Sequence, residues 1–152
     1  MHLRTSLLSV LLLFLCSLAC TAQDKGYWRA ASSTANSITG DISIADSKIT
    51  IDFYVFPLVQ ARTLTPAEVA AAFDADVNAG FTGSLYHVTV PASRRLLRKN
   101  TLCGTEDTQW MATYVSGHTL QIAFFSGQQP PVFTLDALRN STDLCGTYTY
   151  AR

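Results

Sequence analysis

Residues 38–55 read ITGDISIADSKITIDFYV. Ile38, Ile42 and Ile44 fall on one face of an extended chain, with Thr39, Asp41 and Ser43 on the other. After the polar turn Ala45-Asp46-Ser47-Lys48, Ile49, Ile51, Phe53 and Val55 continue the alternation against Thr50, Asp52 and Tyr54. Side chains of a strand point alternately to opposite faces, so two alternating runs around a turn predict a β-hairpin with one dry face and one wet face. The hairpin sets the class of the whole chain, because the same period recurs on both sides of it.

Before the hairpin, Tyr27-Trp28 opens a first strand. After it, Pro57 is expected to end the second strand or to place it at an edge. Leu85 to Val90 is a strand stopped by Pro91, and Gln109 to Val115 with Thr119 to Phe125 forms a second hairpin across Ser116-Gly117-His118. Thr134 caps a short helical turn carrying Leu135 and Leu138, and Thr147 to Ala151 closes the chain. One helix interrupts the series. Thr65-Pro66-Ala67-Glu68 is a capping box with proline at the first helical position. Val69, Phe73 and Val77 recur every fourth residue, which predicts a helix over 66–79 with Gly80 just beyond its end. The sum is a mainly β domain: a single antiparallel barrel or sandwich of about 6–8 strands, closed because an open sheet leaves exposed edges.

The N-terminus reads as an export leader. His2 and Arg4 precede the apolar run Leu7–Leu15, and Cys20-Thr21-Ala22 offers small residues before Gln23. Leu7 to Ala22 is 16 residues, short of the roughly 20 that cross a bilayer. Residues 1–22 are thus expected to be a signal peptide, 23–152 one exported domain, and the mature form free of a transmembrane helix. The rival is a lipid anchor at Cys20, since Ser17-Leu18-Ala19-Cys20 resembles a lipobox with its leucine one place late. The address is periplasmic or secreted in the first case and membrane-anchored in the second.

Taking away the leader leaves Cys103 and Cys145, and two cysteines in an exported chain are expected to form one disulfide. Each stands in Leu-Cys-Gly-Thr, where the glycine is read as a backbone turn beside the bridge. The mature part keeps ten of eleven basic residues and all eleven acidic ones, a net charge near −1 that argues against nucleic acid as a partner. His87 and His118 are too few to suggest a metal site, and no nucleophile motif surrounds any serine. No catalytic residue, metal or cofactor is therefore assigned. Glu106-Asp107 reads as solvated, and Asn140-Ser141-Thr142 matters only in a glycosylating host.

Two surfaces remain as candidates for a protein or small ligand. Arg94, Arg95, Arg98 and Lys99, interrupted by Leu96 and Leu97, suit an acidic partner or an anionic membrane; as an edge, the same charges would simply block sheet-to-sheet association. Trp110 and Tyr114 form either an aromatic contact surface or core. Trp110, Ala112 and Tyr114 share one face and Met111 and Val115 the other, so this strand has apolar residues on both sides, with the helix at 66–79 as the economical cover.

At its two ends the domain resembles the lipocalin-like (calycin) barrels. Gly26-Tyr27-Trp28 matches the Gly-x-Trp of their first strand, and Arg152, after Tyr148-Thr149-Tyr150-Ala151, matches a late arginine that packs on that tryptophan. The resemblance implies closure between first and last strands and a cavity within. Together these readings favour a non-enzymatic binding module, one form being an inhibitor that blocks a hydrolase with an exposed loop. The alternatives are a small secreted hydrolase using His87 or His118, and an envelope structural protein without a ligand.

Overall fold

The structure is a computed structural model that describes residues 24–152. The expected signal peptide at residues 1–22, with Cys16, Cys20 and the expected junction after Ala22, lies outside the described residues. Eight antiparallel strands follow one another around a closed barrel. They are β1 (Gly26–Ala30), β2 (Ile42–Ile44), β3 (Lys48–Ile51), β4 (Tyr54–Leu64), β5 (Gly83–Val90), β6 (Thr108–Ser116), β7 (Thr119–Phe125) and β8 (Leu144–Ala151). Three α-helices interrupt them: α1 (Ser33–Ile38), α2 (Pro66–Phe73) and α3 (Leu135–Arg139). β1 pairs with β2 on one side and with β8 on the other, Arg29 opposite Ala151 and Ala30 opposite Tyr150. Closure leaves no free edge in the sheet. Among the described residues no helix is long and apolar enough to cross a membrane.

Alternation fills the barrel. Trp28, Ile42, Ile44, Ile49, Ile51, Phe56, Leu58, Tyr86, Val88, Met111, Leu120, Ile122, Phe124, Tyr148 and Tyr150 form one continuous inner core. In a small barrel, inward side chains of this size occupy the interior themselves. Burial pushes the Tyr148 hydroxyl up to about 12 and raises Tyr150 as well. The Tyr150 hydroxyl keeps a partner inside, 2.7 Å from Thr39 Oγ1.

A second core lies outside the barrel wall. Leu64, Leu85, Trp110, Ala112, Tyr114, Ala123 and Phe125 are covered by Val69 and Phe73 of α2 and by Phe133. Two features bring the helix onto the sheet. A bulge in β4 between Gln60 and Arg62 reverses the phase of the strand, so Leu58 points inward and Leu64 outward under α2. Gly83 lets the elements touch, because a Cβ there would lie 2.3 Å from the Thr113 carbonyl oxygen and 3.2 Å from Val69 Cγ2. The capping box is present: Glu68 N–H donates to Thr65 Oγ1 (3.3 Å) and Thr65 N–H to Glu68 Oε2 (2.9 Å).

Several expectations need correction. The α-helix ends at Phe73, not at residue 79, because Asp74 adopts a left-handed conformation (φ 53°). Val77 opens a separate 3₁₀ turn that ends at Gly80, and it is exposed. Ile38 closes helix α1 and is not part of the hairpin strand. Pro57 neither ends β4 nor marks an edge. It sits where the ladder to β3 finishes, opposite Lys48, and the ladder to β5 begins one residue later at Leu58, so its missing N–H leaves neither ladder short. Gly104 is a left-handed turn (φ 65°), as read, whereas Gly146 lies within β8. The disulfide joins Cys103 and Cys145, and Cys145 is the extra residue where the β7–β8 register shifts.

Candidate binding surface at the disulfide end

Strand directions divide the loops between two ends of the barrel. At one end lie α1, the β3–β4 turn, the long β5–β6 loop (91–107) and the β7–β8 connection with the disulfide. At the other lie Asp24, the β2–β3 and β6–β7 turns, the α2 connection and Arg152.

The disulfide end is shut. Ala35, Leu96 and Leu102 are buried in the inner core, and Ile38, Cys103 and Cys145 pack against it. The β5–β6 loop is drawn across the opening: Asn100 Nδ2 donates to Ser37 O of α1 at 3.0 Å, and the disulfide ties residue 103 to β8. Leu97 Cδ1 lies 2.9 Å from where a Cβ on Gly40 would stand, so the loop rests directly on backbone. Asp107 holds the loop's other limb by accepting the Ala92 N–H at 2.7 Å. Glu106 and Asp107 are both exposed.

With Leu96 turned inward, the cations between and around the leucines turn outward. Arg94, Arg95, Arg98 and Lys99 are all exposed, and among the described residues none of the four is ion-paired. Arg98 and Lys99 hold successive left-handed conformations (φ 54° and 65°). The hydrogen bonds Leu96 N–H to Asn100 O (2.8 Å) and Lys99 N–H to Leu96 O (3.0 Å) close this small turn.

Beside it stands a residue that alternation misplaces. β3 stops at Ile51, and Asp52-Phe53 is a two-residue hairpin turn with both φ values positive (46° and 68°). Phe53 is 96% exposed. An aromatic residue without glycine's freedom is costly in this region, so surrounding structure must impose it. The turn also resets the phase: Phe56 and Leu58 face the core while Val55 faces out. The next residue, Tyr54, lies under the Arg94 guanidinium, 4.2 Å from its ring centre, which joins the hairpin tip to the basic loop. Aspartate at position 52 was the available turn signal, hidden because Phe53 fell in phase with Ile49 and Ile51.

The other expected surface is absent. Trp110 and Tyr114 are 9% and 5% exposed, since α2 and Phe133 lie over them. Phe73 stacks on Tyr114 at 5.8 Å, and His87 meets Trp110 edge-on at 5.0 Å. They are core. His87 is exposed on the outer face of β5, and His118 occupies the β6–β7 turn at the far end, so the two histidines do not converge. Among the described residues no group of three metal-ligating side chains is assembled. Outside the wall, a groove of about 220 Å³ runs between α2 and α3, lined by Ala71, Ala72, Phe125, Leu135 and Leu138.

The far end holds the Arg152 stack. Its guanidinium lies 4.3 Å from the Trp28 ring centre and donates to the Lys25 carbonyl at 3.2 Å. No protein-family model, curated protein or solved structure matches this chain.

Proposed function

We propose that this chain is an exported, non-enzymatic binding module that engages a protein partner with the disulfide end of its barrel. The observation that carries the proposal is Phe53, held almost wholly in solvent on a left-handed turn and joined through the Arg94–Tyr54 stack to the basic group Arg94, Arg95, Arg98 and Lys99, none of which forms an ion pair among the described residues. A projecting aromatic flanked by charge is the composition of an interface hot spot with its rim. Its complement is a partner with an apolar recess bordered by carboxylates, the arrangement in which an exposed loop obstructs another protein's cleft.

Three observations support the surroundings of this reading. The interior is occupied by aromatic and aliphatic side chains beneath a tied-down loop, which favours surface recognition over carriage of a ligand inside. The disulfide suits an oxidising compartment, in keeping with the leader at residues 1–22. Closure of β1 on β8 and the Arg152–Trp28 stack support kinship with the lipocalin-like barrels.

The test immobilises residues 23–152 and challenges them with the extracellular and periplasmic fractions of the producing organism. Phe53→Ser and a charge-reversed Arg94→Glu, Arg95→Glu, Arg98→Glu, Lys99→Glu chain serve as variants, each shown to keep the native circular dichroism. The expected result is a partner captured by the native chain and lost or weakened at least tenfold by either variant. Equal capture by all three chains would overturn the proposal.

A further inference from the structure

The four cations of the basic loop are not equivalent. Arg94 lies on the Tyr54 ring at 4.2 Å, and Arg98 and Lys99 are bent into left-handed backbone (φ 54° and 65°). Arg95 is exposed, has a negative φ and makes no ion pair among the described residues. The next residue, Leu96, is extended (φ −100°, ψ −157°), with its side chain buried in the inner core. A protease takes its substrate as extended chain. Left-handed residues do not fit such a cleft, and Arg95-Leu96 meets no such bar.

The chain is fastened on both sides of the Arg95–Leu96 bond. Upstream, Arg94 N–H donates to Pro91 O at 2.9 Å and Ala92 N–H to Asp107 Oδ1 at 2.7 Å, while the Arg94–Tyr54 stack ties the loop to the β3–β4 turn. Downstream, Leu96 N–H donates to Asn100 O at 2.8 Å and Asn100 Nδ2 to Ser37 O at 3.0 Å. The Cys103–Cys145 disulfide then fixes the loop to β8. A loop held in this way has little conformational entropy left to lose when it binds.

We propose that Arg95 is the specificity residue of an inhibitor loop, entering the carboxylate-floored pocket of a trypsin-type serine protease. The inference deepens the reading of the disulfide end as a protein-binding surface and rests on it. A guanidinium is suited to such a pocket because it meets a carboxylate with two parallel hydrogen bonds. The protease hydroxyl adds to the Arg95 carbonyl carbon and the Arg95–Leu96 bond breaks. The hydroxyl proton passes through the protease histidine to the Leu96 nitrogen, leaving an ester at Arg95 and an amine at Leu96. From a flexible substrate the amine departs and water cleaves the ester. Here the amine stays, because Leu96 is packed in the core and Asn100, Ser37 and the disulfide hold the segment behind it. It attacks the ester ahead of water, re-forms the peptide bond and returns the proton to the hydroxyl, so the protease remains occupied.

The experiment follows trypsin on a small chromogenic arginine amide as the disulfide-bonded protein is added. The native chain is expected to inhibit, and Arg95→Ala to weaken inhibition by at least about a hundredfold. Lys48→Ala, at the opposite end of the barrel, should leave inhibition unchanged. Chymotrypsin, whose pocket is apolar, should be spared by the native chain and inhibited by Arg95→Phe. Reduction of the disulfide should turn the inhibitor into a substrate cut within the loop. Full trypsin activity beside the native chain, rapid hydrolysis at Arg95 with the disulfide closed, or equal inhibition by Arg95→Ala would each overturn the inference. Partner capture that still depends on Phe53 would then leave the surface reading standing, whereas equal capture by the native, Phe53→Ser and charge-reversed chains would overturn that reading too.

Discussion

At position 83 a Cβ would meet the Thr113 carbonyl oxygen, Val69 and Leu64 at once. Backbone oxygen cannot swing aside as a flexible side-chain end can, so Gly83→Ala is expected to cost about 2–3 kcal/mol, read as a shift in the urea midpoint. Glu68 makes a prediction in pH. The Arg62 guanidinium grips both its oxygens at 2.8 Å and, with the Thr65 N–H, holds its carboxyl down to about 2 against a usual 4.5. A depressed carboxyl stabilises the fold above pH 4.5, and the contribution is lost as pH falls toward 2. Arg62 is 43% exposed, so solvent screening limits the pair to on the order of 1 kcal/mol. Glu68→Gln should therefore lower stability at pH 7 by about that much and converge with the native chain near pH 2, which acid unfolding curves of the two will show. Phe53 and Asp24 show what a single residue hides. Phe53 fits a bland local pattern, an alternating strand, Asp24 belongs to no motif, and only their neighbours in space give them an unusual setting.

Helix α2 shows how far an element can be foreseen. Its start was legible because the capping box is a local hydrogen-bond pattern, satisfied within four residues. Its end was not, because Asp74 turns left-handed where the chain must leave the sheet face to reach β5, a demand set by packing. The sequence did announce the cover itself, since β6 is apolar on both faces. Phe73→Ala would remove the ring that stacks on Tyr114 and should cost about 3 kcal/mol in thermal or chemical unfolding, while leaving the inner core and the disulfide intact. A negligible loss would mean that the helix is not what buries Trp110 and Tyr114. The β4 bulge is a feature of the same scale that no pattern revealed. It changes which residues face inward midway along a strand, and either phase of Val59-Gln60-Ala61-Arg62 reads equally well.

For the whole molecule the disulfide adds a covalent long-range constraint to the pairing of β1 with β8. It closes a loop of about 43 residues, worth roughly 4 kcal/mol in the chain-entropy model. Reduction is therefore expected to lower Tm by 10 °C or more, and to free the loop at 91–107 so that trypsin cuts first at Arg94, Arg95, Arg98 or Lys99. Unchanged melting or first cuts elsewhere would show that the buried Leu96 and Leu102 and the hydrogen bonds of Asn100 and Asp107 hold the loop without the disulfide. Residue order by itself determined the class of this protein, its strand count within narrow limits, the capped helix and the cysteine pair, because each follows from periodicity or from a local bond. It also placed the cations at 94–99. Tertiary structure alone decided that the barrel closes on a filled interior, that Phe53 stands in solvent and that Asp24 is buried. These outcomes depend on which face of a strand meets the core, and that choice is made by turns, bulges and close approaches between residues far apart in the chain.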